Sequence, residues 1–340
     1  EIRLATPRPT FLQALAQPQM AIARTKGGSG PYRKSRNADG DELLLTPVEN
    51  PGDSELPPEQ RDLRLLLAER AAKAVVRFQN GRTDLVLGGT LADLPYVTLA
   101  QVDGQSVRFD PVQGLFGLAL SRTNPVFGDP QVREALSMAI EREAIIGYFN
   151  ISRWKIAERI LPQQFNLPHE PTSHAWSQMP IGARRDLAIG TVTRWRAQHD
   201  GKPLDLTIAL PTGPGMDLLF LALRTQFARV GVTLERADRN ADLKLIDEVA
   251  PYDSAAWYLG RVSCARGVHC SEEVEELLKA SLSAPSDERL RLLGEAERSM
   301  EAHGGFISLA TPVRWSLVSP GLDEFAPSPR GQHSLLSLSR

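Results

Sequence analysis

The sequence predicts an α/β protein built as two lobes, and three observations carry that prediction. Its 340 residues exceed the size at which a single core stops growing. Two stretches far apart in the chain each read as strand, helix, strand, the pattern of a parallel crossover. No internal repeat and no low-complexity tract points instead to a solenoid or a propeller. Hydrophobic content of 42% and charged content of 24% are those of an ordinary globular chain, so a packed core is expected.

The elements follow in order. "GGSGPYR" at 27–33 reads as a tight turn. The first crossover begins with the apolar, extended "DLRLLLAE" from Asp62. It continues through the helix formers of "ERAAKAVVRFQNG", which stops at Asn80–Gly81, and returns as "TDLVLGG". A helix then starts in "GDPQVREALSMAIEREAII", where Asp129 supplies a side-chain cap and Pro130 a fixed φ suited to the first turn. Val132, Ala135, Leu136, Ala139 and Ile140 fall on one face of it, while Arg133, Glu134, Glu141 and Arg142 are expected off that face.

Residues Pro162 to Pro180 are rich in proline, serine and histidine and read as irregular chain. Leu187, Ala188, Val192 and Trp195 mark a helix over Ala183–His199. The second crossover is "LDLTIALP", a "TGPG" break, a helix expected to be capped by Asp217 and stopped by Gly231, then the strands "VTLERA" and "ADLKLID". Two amphipathic helices separated at Pro285, with Ser286 as the expected cap of the second, end at "HGG"; "FISLATPVRWSLV" is extended.

Charge narrows the function. Lysine plus arginine number 39 against 41 aspartates plus glutamates, a net of −2, which gives no bulk field for a nucleic acid or an anionic membrane. No window reaches the apolar length of a membrane span. The chain opens on Glu1 rather than methionine, and the expectation is a removed segment such as a secretory leader.

No stretch satisfies a catalytic pattern. Ser29 in "GGSGPY" has Pro31 where a nucleophile elbow needs glycine. "PTGPGMD" lies where phosphate loops occur, yet it lacks their spacing and lysine, and Asp217 would repel a phosphate. Asp242, Asp247, Glu248 and Asp253 cluster around a strand end, as a solvated face or as acid–base groups. Trp257 and Tyr258 read either as core or as the apolar wall of a pocket. Cys264 and Cys270 in "SCARGVHC" are either two loop thiols or a local disulfide. The disulfide is favoured because Gly267 lets the chain turn back. A metal site would add only His269, whose adjacency to Cys270 strains a shared tetrahedral centre. The residues therefore predict no catalytic group, no cofactor and no metal.

The order "GGSGPYRKSR", "ERAAKAVVRFQNGRTDLVLGG", "LALSRTNPVFGDPQVREALSMAIEREAII", "IAERILPQQF" and "LDLTIALPTGPGMDLLFLALRTQFARVGVTLE" resembles the extracytoplasmic solute-binding proteins of peptide and nickel ABC transporters, bacterial solute-binding protein family 5. The match runs over nearly the whole chain, and its long central motif lies between Val132 and Ile145.

The resemblance implies a two-lobed, hinge-linked type II periplasmic-binding-protein-like fold. Residues 1–112 plus 308–340 would form the first lobe, incomplete at its N-terminus relative to the family, and 113–307 the second. It implies a non-enzymatic, monomeric receptor outside the cytoplasm, made with a signal peptide or as a lipid-anchored precursor. That receptor would close on a peptide-like or other small polar ligand and deliver it to the permease subunits of an ABC importer. The ligand-binding residues it implies are Ser121, Asp247, Tyr252, Asp253 and Trp257.

Departures from the family pattern are Ser121 in place of a common asparagine, serine at Ser29 for threonine, and a missing tryptophan and proline around Asp247, Tyr252 and Asp253. A sensory or regulatory module on the same fold is the alternative.

Overall fold

The computed structural model describes residues 2–5, 7–17, 20–21, 30–36, 42–48, 63–165, 167–168, 172–238, 240–322, 324–335 and 338. Ser29 and most of the expected turn around it lie outside the described residues. In chain order the first elements are α1 (Phe11–Leu15), β1 (Tyr32–Arg36), β2 (Glu42–Pro47), β3 (Arg64–Leu67), α2 (Ala71–Gln79), β4 (Leu85–Thr90), α3 (Leu94–Leu99) and β5 (Val107–Phe109). Next come β6 (Gly114–Leu120), α4 (Pro130–Ala139), α5 (Arg142–Gly147), α6 (Ile181–Gln198), β7 (Leu204–Ala209), α7 (Pro214–Ala228), β8 (Val232–Arg236) and β9 (Leu243–Val249). The last are α8 (Ala255–Arg261), α9 (Glu272–Ser281), α10 (Ser286–His303), β10 (Phe306–Ala310) and β11 (Arg314–Val318).

The chain divides into two compact units, Gln113–Pro312 with Glu1–Gln17, and Pro18–Val112 with Val313–Arg340. The boundary expected at 307/308 falls inside β10.

The 113–312 unit is built on a five-stranded sheet in the order β10-β6-β9-β7-β8. β7 runs parallel to β8 and to β9, while β6 is antiparallel to β9 and to β10. Leu118, Leu120, Leu206, Ile208 and Leu243 are all buried in it. The second crossover closes as its sequence predicts, because β7 and β8 pair directly, Leu204 opposite Val232. Leu219, Leu223 and Phe227, four residues apart along α7, have no more than 0% exposure and form the buried stripe of the connecting helix. That helix begins at Pro214, with Gly213 at its cap. Asp217 therefore lies in the first turn rather than capping, and it pairs with Arg236 at 2.8 Å. A second layer of the core gathers Tyr258, Leu259, Val274, Leu293, Ala296 and Met300 with Leu115 and Phe306 of the sheet.

The helix at Asp129 starts as expected, with the carboxylate accepting from the Gln131 N–H at 2.8 Å. It ends at Ile140, whose backbone turns extended (φ −88°, ψ 119°), and α5 resumes two residues later. Arg133 and Arg142 correct the expectation that both lie off the packed face: they are 4% and 2% exposed. Each guanidinium finds carbonyl oxygens where periodicity alone foresees only solvent. Arg133 donates to Phe127 and His303, and Arg142 to Ser308 at 2.8 Å. Burial lowers the pKa of Arg142 to about 10, and it lowers that of Arg133 as well. Trp176, itself buried, lies 5.7 Å beneath Arg142 and 5.7 Å beneath Arg184, which holds the irregular 172–180 stretch onto this cluster.

Pro285 rather than Ser286 occupies the cap position of α10, and no side chain caps it. Gly304 stops α10 in the left-handed conformation, as "HGG" predicts. Gly305 follows because a Cβ there would stand 1.7 Å from the His269 carbonyl oxygen.

Among its described residues the other unit holds two three-stranded sheets, β1-β2-β3 and β4-β11-β5. The first crossover behaves differently from the second. α2 forms and buries Val75 and Phe78, yet β3 and β4 belong to different sheets and do not pair.

Candidate functional site

The five-stranded sheet has two ends, and the candidate binding residues are split between them. Gly114 opens β6 opposite Val249, and Leu120 closes it opposite Leu243. β10 ends near Phe116. The start of β6 and the ends of β9 and β10 thus share one end of the sheet, where the chain leaves the unit before Gln113 and after Pro312. β7 is parallel to β9, so the loop that follows it points the same way. Carboxyl ends of strands in open α/β sheets are where such folds hold ligands.

Four of the five predicted residues belong to this end. Asp247 lies opposite Phe116 on β9, and Tyr252 and Asp253 occupy the turn between β9 and α8, the first half-buried and the second exposed. Trp257, on α8, is partly buried against the core and meets Tyr258 edge-on at a centroid distance of 5.0 Å. Tyr258 itself is core.

Two features stiffen the turn. The Ala250 N–H donates to the Gln113 carbonyl at 2.8 Å. Gly114 admits the Glu248 carbonyl oxygen to 2.0 Å from where a Cβ would stand, which no other residue allows. Glu248 is paired with Arg261, a residue sequence reasoning missed because its carboxylate partner lies 13 positions upstream across a turn.

Ser121 lies at the opposite end, past the last residue of β6 and roughly 24 Å from Gly114 at about 3.4 Å per residue. Its N–H donates to the Asp242 carbonyl at 2.8 Å, and its hydroxyl shares a hydrogen bond with Thr123 at 2.8 Å. The structure does not bring Ser121 together with the other four.

The Asp242 carboxylate accepts from the Thr207 N–H (2.8 Å), the Thr207 hydroxyl (2.7 Å) and the Asn124 amide (2.7 Å). Asn124 in turn accepts from the Val126 N–H at 2.9 Å. This network clamps the ends of β6, β7 and β9. Its sequence signal is the Asn124–Pro125 pair, a turn initiator.

Cys264 and Cys270 are disulfide-bonded with Cα atoms 5.4 Å apart, and Gly267 between them turns the chain at φ 79°. The loop they close folds back on Ser121, which bridges Val268. Next to it His269 and His303 stack and share a ring-nitrogen hydrogen bond of 2.7 Å. Burial first, then the nearby Arg133 charge, lowers both imidazole pKa values, that of His303 to about 4. Among the described residues one group, Cys264, Cys270 and Glu275, brings possible metal-donor atoms within 4.8 Å of one another. Its sulfurs are bonded to each other, so the pair offers no thiolate to an ion.

The model of the bacterial extracellular solute-binding proteins, family 5 Middle, matches residues 1–243. The chain belongs to this family. Members of this family are transport binding proteins rather than enzymes. No curated protein matches the sequence.

Among solved structures it is similar to the Escherichia coli murein tripeptide binding protein MppA, with 17% identity, TM-score 0.73, and coverage of 99% of this chain and 72% of that one. Staphylococcus aureus NikA in complex with Ni(L-His)2 gives 15% identity, TM-score 0.74, and coverage of 99% and 76%. Haemophilus influenzae OppA in complex with the peptide RPPGFSPFR gives 18% identity, TM-score 0.71 and 92% of this chain, which spans only 64% of that protein's length. These similarities establish the fold, that of the two-lobed periplasmic binding proteins.

Proposed function

We propose that the protein is an extracytoplasmic receptor that binds a peptide-like or other small polar solute and passes it to the permease of an ABC importer, acting as a monomer. The two compact units serve as its lobes. In the 113–312 unit the ligand contacts come from the end of β9 and the turn after it, with Asp247 and Asp253 as acceptors for a ligand ammonium and Tyr252 and Trp257 as apolar flank. The observation that carries this reading is the gathering of these four residues at the sheet end where the chain enters and leaves the unit. A carboxylate facing an ammonium in a site shielded from water favours ligands with a free amino terminus.

Thermal-shift measurements on the whole protein with di-, tri- and oligopeptides, free amino acids and nickel chelates test the reading, since a solute that binds only the folded state raises the unfolding temperature. A saturable rise with peptides that D247N or D253N removes is the expected result. A rise that neither substitution alters would move the site elsewhere, and no rise with any solute would remove the transport reading.

A further inference from the structure

Two helices of the 113–312 unit enclose a groove that the ligand reading does not use. It holds about 410 Å³ between α8 and α9. Ala256 and Gly260, one turn apart on α8, and Ser263 just past its end supply one side. Leu278, Ser281 and Leu282, at the end of α9, supply the other. The serine hydroxyls are engaged by their own backbone: Ser263 donates to the Gly260 carbonyl at 3.1 Å and Ser281 to the Leu278 carbonyl at 2.7 Å. The floor is therefore apolar, and Leu282, 43% exposed, leaves one wall open to water.

Gly260 marks this as space kept for something outside the chain. A glycine inside a helix costs about 0.5–1 kcal/mol relative to alanine. Close packing or a left-handed backbone would account for it, but a Cβ at Gly260 meets nothing within 4 Å and its φ is not positive. The room it leaves belongs to the groove. That groove is also pre-set, because the Cys264–Cys270 disulfide ties the end of α8 to the start of α9 and the Glu275 carboxylate accepts from the Ala265 N–H at 2.9 Å.

Charge decides what fits. Glu272, Glu273, Glu275 and Glu276 crowd the first turns of α9, against Lys279 as its one basic residue. Glu275 and Glu276 line the groove, while Glu272 and Glu273 lie beyond it and are exposed. A small cation on the floor would meet only the nearer two carboxylates, whereas a polypeptide reaches all four. We infer that the groove is a docking site for a basic segment of another protein. The segment seats one bulky apolar side chain over Gly260 and sets lysines or arginines against the α9 carboxylates. The inference uses neither Asp247 nor Asp253 and stands apart from the ligand reading.

Fluorescence anisotropy on the whole protein tests it, with labelled dodecapeptides carrying one central leucine, phenylalanine or tryptophan among lysines and alanines. Both peptide termini are blocked, so no terminal ammonium is offered to the solute site. At least one peptide should bind saturably and slow amide exchange in α8 and α9. Its affinity should fall about tenfold or more in about 1 M salt, where the Debye length is about 3 Å. Gly260→Leu fills the groove with a better helix former, so it should keep the melting temperature and weaken the peptide about tenfold or more. E272K with E273K and E276K should weaken it as much, while E134K, at an exposed glutamate of α4, should not.

The inference is overturned by any of the following outcomes. No peptide binds, or protection appears only in other elements. Peptides with glutamate in place of lysine bind equally well, or either groove variant binds at full strength. Tryptamine binds as tightly as the peptide, meaning a small-molecule pocket. Protection of α8 and α9 grows with protein concentration and no peptide present, meaning that a second copy fills the groove.

Discussion

The two crossovers carry the same sequence signature and end differently. In β7–α7–β8 the strands are neighbours in one sheet, and α7 lies over a continuous layer with Phe227 fully buried. In β3–α2–β4 the helix forms just as readily, but its strands face a groove across which nothing among the described residues is paired. Periodicity and caps specify that a strand, a helix and a strand will form. Whether the strands become partners depends on what else the sheet contains, and that is not written within the unit itself.

Substitutions can break or sharpen this contrast. F227A should cost about 3–5 kcal/mol in urea unfolding, because the closed layer cannot collapse into the space. F78A, on the helix of the open crossover, should cost less, about 2 kcal/mol. Equal losses would show that the two helices rest on equally complete layers.

D242N comes next. It weakens the carboxylate that accepts three hydrogen bonds at the ends of β6, β7 and β9, and should lose about 1–3 kcal/mol from the closed unit only.

A smaller effect is set by pH. The folded-state pKa of His303 lies below its unfolded value of 6.5, at about 4, so the folded protein binds fewer protons than the unfolded one in that window. Stability contributed by the neutral pair is therefore complete above about 6.5 and lost as pH falls toward about 4. Calorimetry across that range should show the 113–312 unit losing melting temperature, and H303Q should flatten the dependence.

Smallest of all, L65A should change stability by less than about 0.5 kcal/mol, since the side chain is more than half exposed; a larger loss would mean that the groove beside β3 is closed in solution.

Much of the fold was legible because its signals are local. Asp129–Pro130 marked a helix start, Gly304 a helix stop, and the alternation of "LDLTIALP" a strand whose burial does alternate over Leu204, Leu206 and Ile208. What escaped depends on tertiary partners. Arg133 and Arg142 look like surface charges in a helical pattern, and only distant carbonyls at Phe127, His303 and Ser308 make their burial affordable. Ser121 follows β6 and Asp247 lies on β9, two strands whose antiparallel register sends these residues to different ends, and register is a long-range property. The Glu248–Arg261 pair and the Asn124–Asp242 contact likewise join residues that no short window holds together.

β6 and β10 are adjacent strands, one opening just after Val112 and the other closing just before Val313. The two ends of the segment between them lie side by side on its own sheet, as Phe109 and Trp315 do on the sheet of the other unit. Genetic exchange can lift such a cassette out, or set a different one in its place, while the host chain needs only a short stitch to heal the gap.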